Sequence, residues 1–379
     1  MKDSQVLTNR KLQQYDLFAE LKEEQKKLWE QEQRTQALRA YASVELFAGA
    51  GGLALGLEQA GFHPILLNEI DKYATHSLRT NRPNWSVIEQ DIHALDFTPY
   101  RYQIDLVSGG FPCQSFSLAG KQLGLEDFRG ILFYQFARAI DEIQPKMFLA
   151  ENVKGLWLHQ GGKTLSYMIE TLKKLGYVVL EPKILKTMFY QVPQNRERLV
   201  LIGIRQDIFQ KYSDFRWPSP FHRIMTMKDA LKKGELFDTD VPDSIGASYP
   251  ERKKEILSLV PQGGCWRDLP VDIQKEYMKK SYFLSGGKTG MARRLAWHEP
   301  SLTLTCSPAQ NQTERCHPEQ TRPLTVREYA RIQTFPDQWQ FSGSMMQQYK
   351  QIGNAVPVNF AAALGRSMIR FLNALEVRE

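Results

Sequence analysis

The sequence predicts an α/β fold: a mainly parallel sheet covered on both faces, joined to a second, smaller and irregular domain. Three observations carry this. Short apolar runs alternate with helical patterns from Val44 to about Arg205, the rhythm stops between residues 206 and 321, and helical patterns return after Thr321. A chain of 379 residues is long enough for one large domain and a smaller one.

Taken in order, residues 1–42 form an N-terminal extension. Leu17, Leu21, Leu28 and Leu38 punctuate a stretch rich in Glu, Gln and Lys, which predicts a charged helix packed across the outside of the main domain. VELF (44–47) is a strand, and LALGLEQAG is a helix ending at Gly61. HPILLN (63–68), WSVIEQ (85–90) and IDLVSGG (104–110) are the next three strands. A helix over 130–143 leads to MFLAEN (147–152), followed by another helix and the strands YVVLEPKIL (177–185) and RLVLIGI (198–204). The scattered Gly, Pro, Ser and basic residues of 206–321 mark the second domain. REYARIQTF and the terminal NFAAALGRSMIRFLNAL rejoin the first, which therefore comprises 43–205 and 322–379.

Hydrophobic residues make up 42% and charged residues 24%, ordinary for a globular protein, and the net charge of +7 leans towards a polyanionic partner. No apolar run approaches the roughly 20 residues that span a bilayer, and the polar N-terminus lacks a signal-peptide core, so a cytoplasmic location is expected. The four cysteines, Cys113, Cys265, Cys306 and Cys316, form no CxxC pair; free thiols and no metal site are expected.

Four motifs carry chemistry. FAGAGG (47–52) runs from a strand into a glycine-rich turn, where backbone can approach a ligand closely. Glu69 ends the second strand, 20 residues after Gly49, where a nucleotide-binding fold places a carboxylate for ribose hydroxyls; Asp91 ends the third and can accept from an adenine amino group. These strand ends fit a dinucleotide or S-adenosylmethionine alike. GGFPCQSFS (109–117) follows the fourth strand and sets Cys113 at the mouth of the cofactor crevice. AENVKG (150–155) puts Glu151 at a strand end, where a carboxylate is costly unless paired or used. In QNRERLVLIG (194–203), Arg196 and Arg198 alternate and share one face of an extended segment.

In this order and spacing the motifs resemble those of the cytosine-C5 DNA methyltransferase family of the bacterial restriction–modification type. NEIDKYA (68–74), DFRGILF (127–133), RPLTVREYARIQTFPD (322–337) and QYKQIGNAVPV (348–358) are similar to further motifs in family order. The resemblance covers about 44–205 and 322–360 and leaves 206–321 in the slot of the target-recognition domain. It implies a Rossmann-like S-adenosylmethionine-dependent methyltransferase sheet and the following roles. Cys113 attacks C6 of a cytosine flipped out of duplex DNA, Glu151 holds the N3/N4 edge, and Arg198, with Arg196 beside it, holds the O2 side. Phe47, Gly49, Gly51, Glu69, Ile70, Asp91, Ile92, Leu132 and Asn354 surround S-adenosylmethionine. Ile70 stands where some members carry an aromatic residue, so adenine is held by aliphatic contact.

DNA contacts are expected from Ser117, Lys121 and Arg129 of the Cys113 loop, and from Arg293 and Arg294 in a Gly-flanked stretch near Lys288. The resemblance adds Thr303, with Leu304, of SLTLT. A monomer acting on double-stranded DNA, with a companion restriction endonuclease, is the implied setting. A tRNA cytosine-C5 methyltransferase of the same fold remains open; so do a dinucleotide-dependent oxidoreductase and an inactive DNA-binding protein.

Overall fold

In a computed structural model the described residues are 23–111, 132–286 and 288–378. The strands β1 (Tyr41–Leu46), β2 (Phe62–Glu69), β3 (Val87–Glu89), β4 (Leu106–Gly109) and β5 (Met147–Val153) are mutually parallel. The sheet continues through β9 (Glu197–Arg205) to β6 (Tyr177–Val179), in the order β3-β2-β1-β4-β5-β9-β6, and β7 (Lys183–Lys186) also pairs with β9. β9 runs antiparallel to all three of its partners. The expected single strand over 177–185 is therefore two, both pairing with β9. Pro182, without an N–H to donate, falls in the break between them.

Helices cover both faces, as the alternation predicts. α1 (Gly52–Ala60) packs against the C-terminal helix α9 (Val358–Glu376) on one face. The approach is close enough that a Cβ on Gly56 would lie 2.4 Å from the Val358 carbonyl oxygen, so only glycine fits there. α1 ends at Gly61 in the left-handed conformation (φ 112°), the C-cap expected from the sequence. α2 (Lys72–Asn81) connects β2 to β3, its first turn capped by the Asp71 carboxylate. On the other face, α3 (Leu132–Ile143) buries Phe133, Phe136, Ala137, Ile140 and Ile143 at helical spacing, with Phe148 of β5 beneath. α4 (Lys163–Lys174) lies beside it and adds Leu165, Met168 and Leu172 to the same core.

The N-terminal extension is helical over residues 23–33 and packs on the outside of the α9 layer. Trp29 lies 4.7 Å from Phe221, ring to ring, and Glu32 accepts from the Ser219 N–H and hydroxyl and from Arg370. Arg39 then forks onto Asp105, and β1 already begins at Tyr41, two residues inside the expected extension.

Within 206–321, a small core gathers Tyr249, Ile256, Leu257, Val260, Leu269, Ala292 and Cys316 around α5 (Glu251–Ser258), with α6 (Val271–Met278) alongside. Met227, Ala230, Leu231, Leu295 and Leu304 instead join a cluster with α7 (Val326–Ile332) and α8 (Met345–Asn354). The two-residue strand β10 (Ser301–Leu302) pairs parallel with β8 (Gln194–Asn195). Arg331 of α7, fully buried, donates to the Thr239 and Asp240 carbonyls and pairs with Asp337. Among the described residues no helix is long and apolar enough to cross a membrane.

One expected DNA contact, Arg294, is corrected by this packing. Arg294 is only 4% exposed and donates to the carbonyls of Val260, Leu257 and His317 and to the Thr321 hydroxyl. It knits the small core together, because a buried guanidinium needs all its N–H groups satisfied. Arg293 is also turned inward: its side chain is 17% exposed and lies 3.6 Å from Glu299.

Candidate active site

The C-terminal ends of β1, β2 and β3 form one half of the site. After β1 the chain turns sharply: Phe47 has a positive φ of 58°, rare for an aromatic residue, and Gly49 and Gly51 follow at 54° and 85°. A Cβ on Gly51 would meet Leu78 at 2.6 Å and Trp339 at 3.1 Å, so the turn is packed from beneath by those two side chains. The Glu69 carboxylate spans this turn and the next. It accepts from Gly49 N–H at 2.8 Å through one oxygen, and from the Ile70 and Asp71 N–H groups at 2.8 Å through the other. Asn68 ties the end of β2 to the Gln90 carbonyl at 2.8 Å, which sets Asp91 alongside.

Asp91 is exposed, and bonds from the His93 backbone and ring hold its carboxyl below the usual range. Ile70 presents an apolar side chain to solvent at 66% exposure. An exposed isoleucine between two carboxylates at strand ends suits the face of an adenine next to a ribose. Ile92 is 3% exposed, its side chain inside the sheet core. Leu132 opens α3 and is half-buried. Asn354 ends α8, exposed, and its side-chain oxygen accepts from the Cys306 thiol at 3.1 Å.

The other half is built by β4, β5 and β9. Glu151 is 8% exposed, and Arg198 Nε lies 2.6 Å from its Oε1. Register explains the pair. Arg198 stands opposite Val153, two residues along from Glu151 on the same face of β5. The contact is a buried ion pair, both side chains being about 10% exposed. Burial pulls the Arg198 pKa down, and the adjacent carboxylate opposes that. Gly110 lies against Glu151, since a Cβ there would sit 3.1 Å from Oε2. Asn152 donates to the Phe111 carbonyl at 3.0 Å. The chain is thus anchored beside Glu151 two residues before Cys113. Cys113, Ser117, Lys121 and Arg129 themselves lie outside the described residues.

Arg196 is corrected. It is 2% exposed and donates to the carbonyls of Leu304, Gly353 and Ala355. Burial, and then the charge of Arg198, lower its pKa. Its guanidinium joins three chain segments, the β8–β9 turn, the segment after β10 and the end of α8, and is not free to hold a base. Thr303 likewise spends its hydroxyl proton on the Asn195 carbonyl at 2.8 Å, leaving its oxygen as an acceptor.

Two residues with clear positions were not singled out in the sequence. Asn152 is the anchor just described; its only sequence signal is its place next to Glu151. Glu45 of β1 is 4% exposed, and burial pushes its carboxyl up to about 8 against bonds from Ser108 and the Ala54 backbone. At neutral pH it sits beneath the glycine turn mainly as the uncharged acid. An acid inside the apolar run VELF was its signal.

Glu69 gives a direct test of the first half-site. Replacing it by alanine is expected to raise the KM for S-adenosylmethionine roughly 10- to 150-fold, the loss of one charge-assisted hydrogen bond. The kcat at saturating cofactor should change much less. Initial rates at varied cofactor check this; a change in DNA affinity alone would assign the carboxylate elsewhere.

Comparison with known proteins agrees with this geometry. The model of the C-5 cytosine-specific DNA methylase family matches residues 41–370. The type II methyltransferase M.PspPI of Psychrobacter sp. is 64% identical over 346 residues, covering 91% of this chain and 83% of the relative. M.Eco47II of Escherichia coli, also a type II methyltransferase, is 62% identical over 338 residues, 89% and 81% of the two chains. Among solved structures, the S. pombe Dnmt2 methyltransferase superposes with a TM-score of 0.60 over 88% of this chain and 100% of its own, at 16% identity, a likeness of fold. The chain belongs to the C-5 cytosine-specific DNA methylase family and is a DNA cytosine-5 methyltransferase.

Proposed function

We propose that this enzyme methylates C5 of a cytosine within a specific duplex sequence, using S-adenosylmethionine, and protects that sequence from a companion restriction endonuclease. The observation that carries the chemistry is the buried Glu151–Arg198 pair, Nε to Oε1 2.6 Å, next to the segment leading to Cys113. The relatives at 62–64% identity are type II methyltransferases, which supports the restriction–modification setting.

S-adenosylmethionine supplies an electrophilic methyl group. The glycine turn, the Glu69 carboxylate, exposed Ile70 and exposed Asp91 fit its adenosine part. Cys113 would add as thiolate to C6 and raise the electron density at C5, where the bound cofactor would supply its methyl group, its S–CH3 bond breaking to leave S-adenosylhomocysteine. Glu151 would accept from the cytosine N4 amino group and hold the N3/N4 edge of the base in place for attack at C6. Arg198 keeps that carboxylate in place and faces the O2 side. Loss of the C5 proton to a base then expels Cys113. A cytosine stacked in a duplex cannot reach these groups, so the base must leave the helix, at a cost of a few kcal/mol. We assign residues 206–321 to sequence reading and 43–205 with 322–379 to catalysis.

Expression in a host lacking cytosine methylation, followed by bisulfite sequencing of a plasmid, tests this. One short sequence should become fully modified at one cytosine, and plasmid so modified should resist a nuclease cutting that sequence. Methyl transfer to tRNA and none to the plasmid would support the RNA reading instead.

A further inference from the structure

The most exposed aromatic residue among the described residues with exposed large apolar side chains is Phe283, at 80%. Leu284 beside it is 64% exposed. Phe283 ends the short helical turn Lys279–Phe283 that follows α6, and Leu284 comes directly after it. Two large apolar side chains stand bare on one loop tip, and something must hold the backbone that presents them. Lys288 does so: its ammonium donates to the carbonyls of Ser281 and Leu284 and closes the loop. Lys279 (φ 49°) and Lys288 (φ 50°) both adopt the left-handed backbone that non-glycine residues avoid, which is strain kept at the two ends of the loop.

Behind the tip runs a line of rings. Arg267 lies over Trp266, Trp266 lies 6.0 Å from Tyr282, and Tyr282 lies 5.2 Å from Phe283 in an edge arrangement. The tip is thus braced from behind and bare in front. Its surroundings are basic: the stretch KKSYFLSGGK (279–288) has three lysines and no acid, and Lys279 and Lys280 are exposed.

The loop also connects to the active site. Gly290 accepts from Glu314 N–H at 2.9 Å, and neighbouring Thr313 shares a hydroxyl contact of 3.1 Å with Thr305. Thr303, two residues before Thr305, bonds the Asn195 carbonyl beside Arg196 and Arg198.

We infer that Phe283 and Leu284 form an apolar wedge that inserts into the base stack of duplex DNA within the enzyme's target site, with Lys279 and Lys280 on the flanking phosphates. Charge selects the occupant: a second protein surface has no general need for lysines around an apolar tip, whereas a duplex offers phosphates flanking apolar base faces. A rigid aromatic tip can replace a lost base–base stack, which lowers the cost of unstacking next to the flipped cytosine. This rests on the DNA-methyltransferase reading above.

The test uses the full-length enzyme and a duplex carrying the mapped site with 2-aminopurine substituted at positions flanking the target cytosine. Phe283→Ala should weaken binding about 5- to 150-fold, the contribution of one base–aromatic stack. It should remove the 2-aminopurine fluorescence rise and leave the dependence of log Kd on log salt unchanged. Phe283→Trp should restore both affinity and fluorescence. Lys279→Ala with Lys280→Ala should instead flatten the salt dependence by about two. Leu259→Ser, at another exposed apolar position of the same region, should bind like the parent, and thermal melting should show each variant folded. Unchanged affinity for Phe283→Ala overturns the wedge. So does lost affinity with the fluorescence rise intact, or lost affinity explained by dissociation of a dimer in sedimentation. Failure of the parent enzyme to methylate any duplex would sink the DNA reading itself, a separate result.

Discussion

Cys113→Ser is expected to abolish methyl transfer, by on the order of 10⁴- to 10⁶-fold, the scale on which removal of other enzymic nucleophiles acts. A serine hydroxyl at neutral pH is a far weaker nucleophile than a thiolate, and without addition to C6 the C5 position has too little electron density to take a methyl group. Binding should survive, since the change removes one sulfur atom and no charge contact known to hold DNA. The covalent step has its own signature. Duplex with 5-fluorocytosine at the target should form an adduct with the parent enzyme that resists denaturation, because fluorine cannot leave as a proton does. The serine variant should form none. A serine variant turning over at a rate near the parent's, or an adduct retained in it, would remove Cys113 from the mechanism. The described residues just before it are fixed: Asn152 holds the Phe111 carbonyl at 3.0 Å, and Gly110 lies against Glu151.

Glu151→Gln should lower kcat about 10²- to 10³-fold, the usual effect of losing one preorganised partner of a developing charge. The amide keeps the size of the side chain but loses the negative charge facing Arg198. Arg198 would then be a buried cation without its counter-ion, and a broken buried pair costs about 3–5 kcal/mol. A lower melting temperature should therefore accompany the lost rate. The two effects separate in the double variant Glu151→Gln, Arg198→Met: stability should partly recover while activity stays low. Single-turnover methylation and thermal denaturation measure them. A Glu151→Gln enzyme with kcat within threefold of the parent would mean that the carboxylate serves the fold and not the reaction.

The parts of the site legible in the sequence were those tied to strand ends. Each of Glu69, Asp91, Cys113 and Glu151 follows an apolar run short enough to be a strand, and a parallel sheet gathers the C-terminal ends of its strands on one edge. Helix boundaries set by glycine were equally visible, as at Gly61. The arginines were not. An arginine in a sequence carries no mark of whether its guanidinium meets DNA or a ring of backbone carbonyls. Arg196 and Arg198 alternate on one segment, yet one crosses to Leu304, Gly353 and Ala355 and the other meets Glu151.

The sequence by itself determined the strand–helix order, the placement of Glu69, Asp91 and Glu151 at strand ends, and the family, because these depend on local periodicity and on residues close along the chain. Only the tertiary structure decided which way β9 runs and that Pro182 splits its edge partner in two. It also decided that Arg294 is a hub of the small core and that Phe283 stands in solvent. These follow from contacts between residues tens to hundreds of positions apart. There, burial and the need to satisfy every buried N–H settle a side chain's role, and neither is written in its neighbours in sequence.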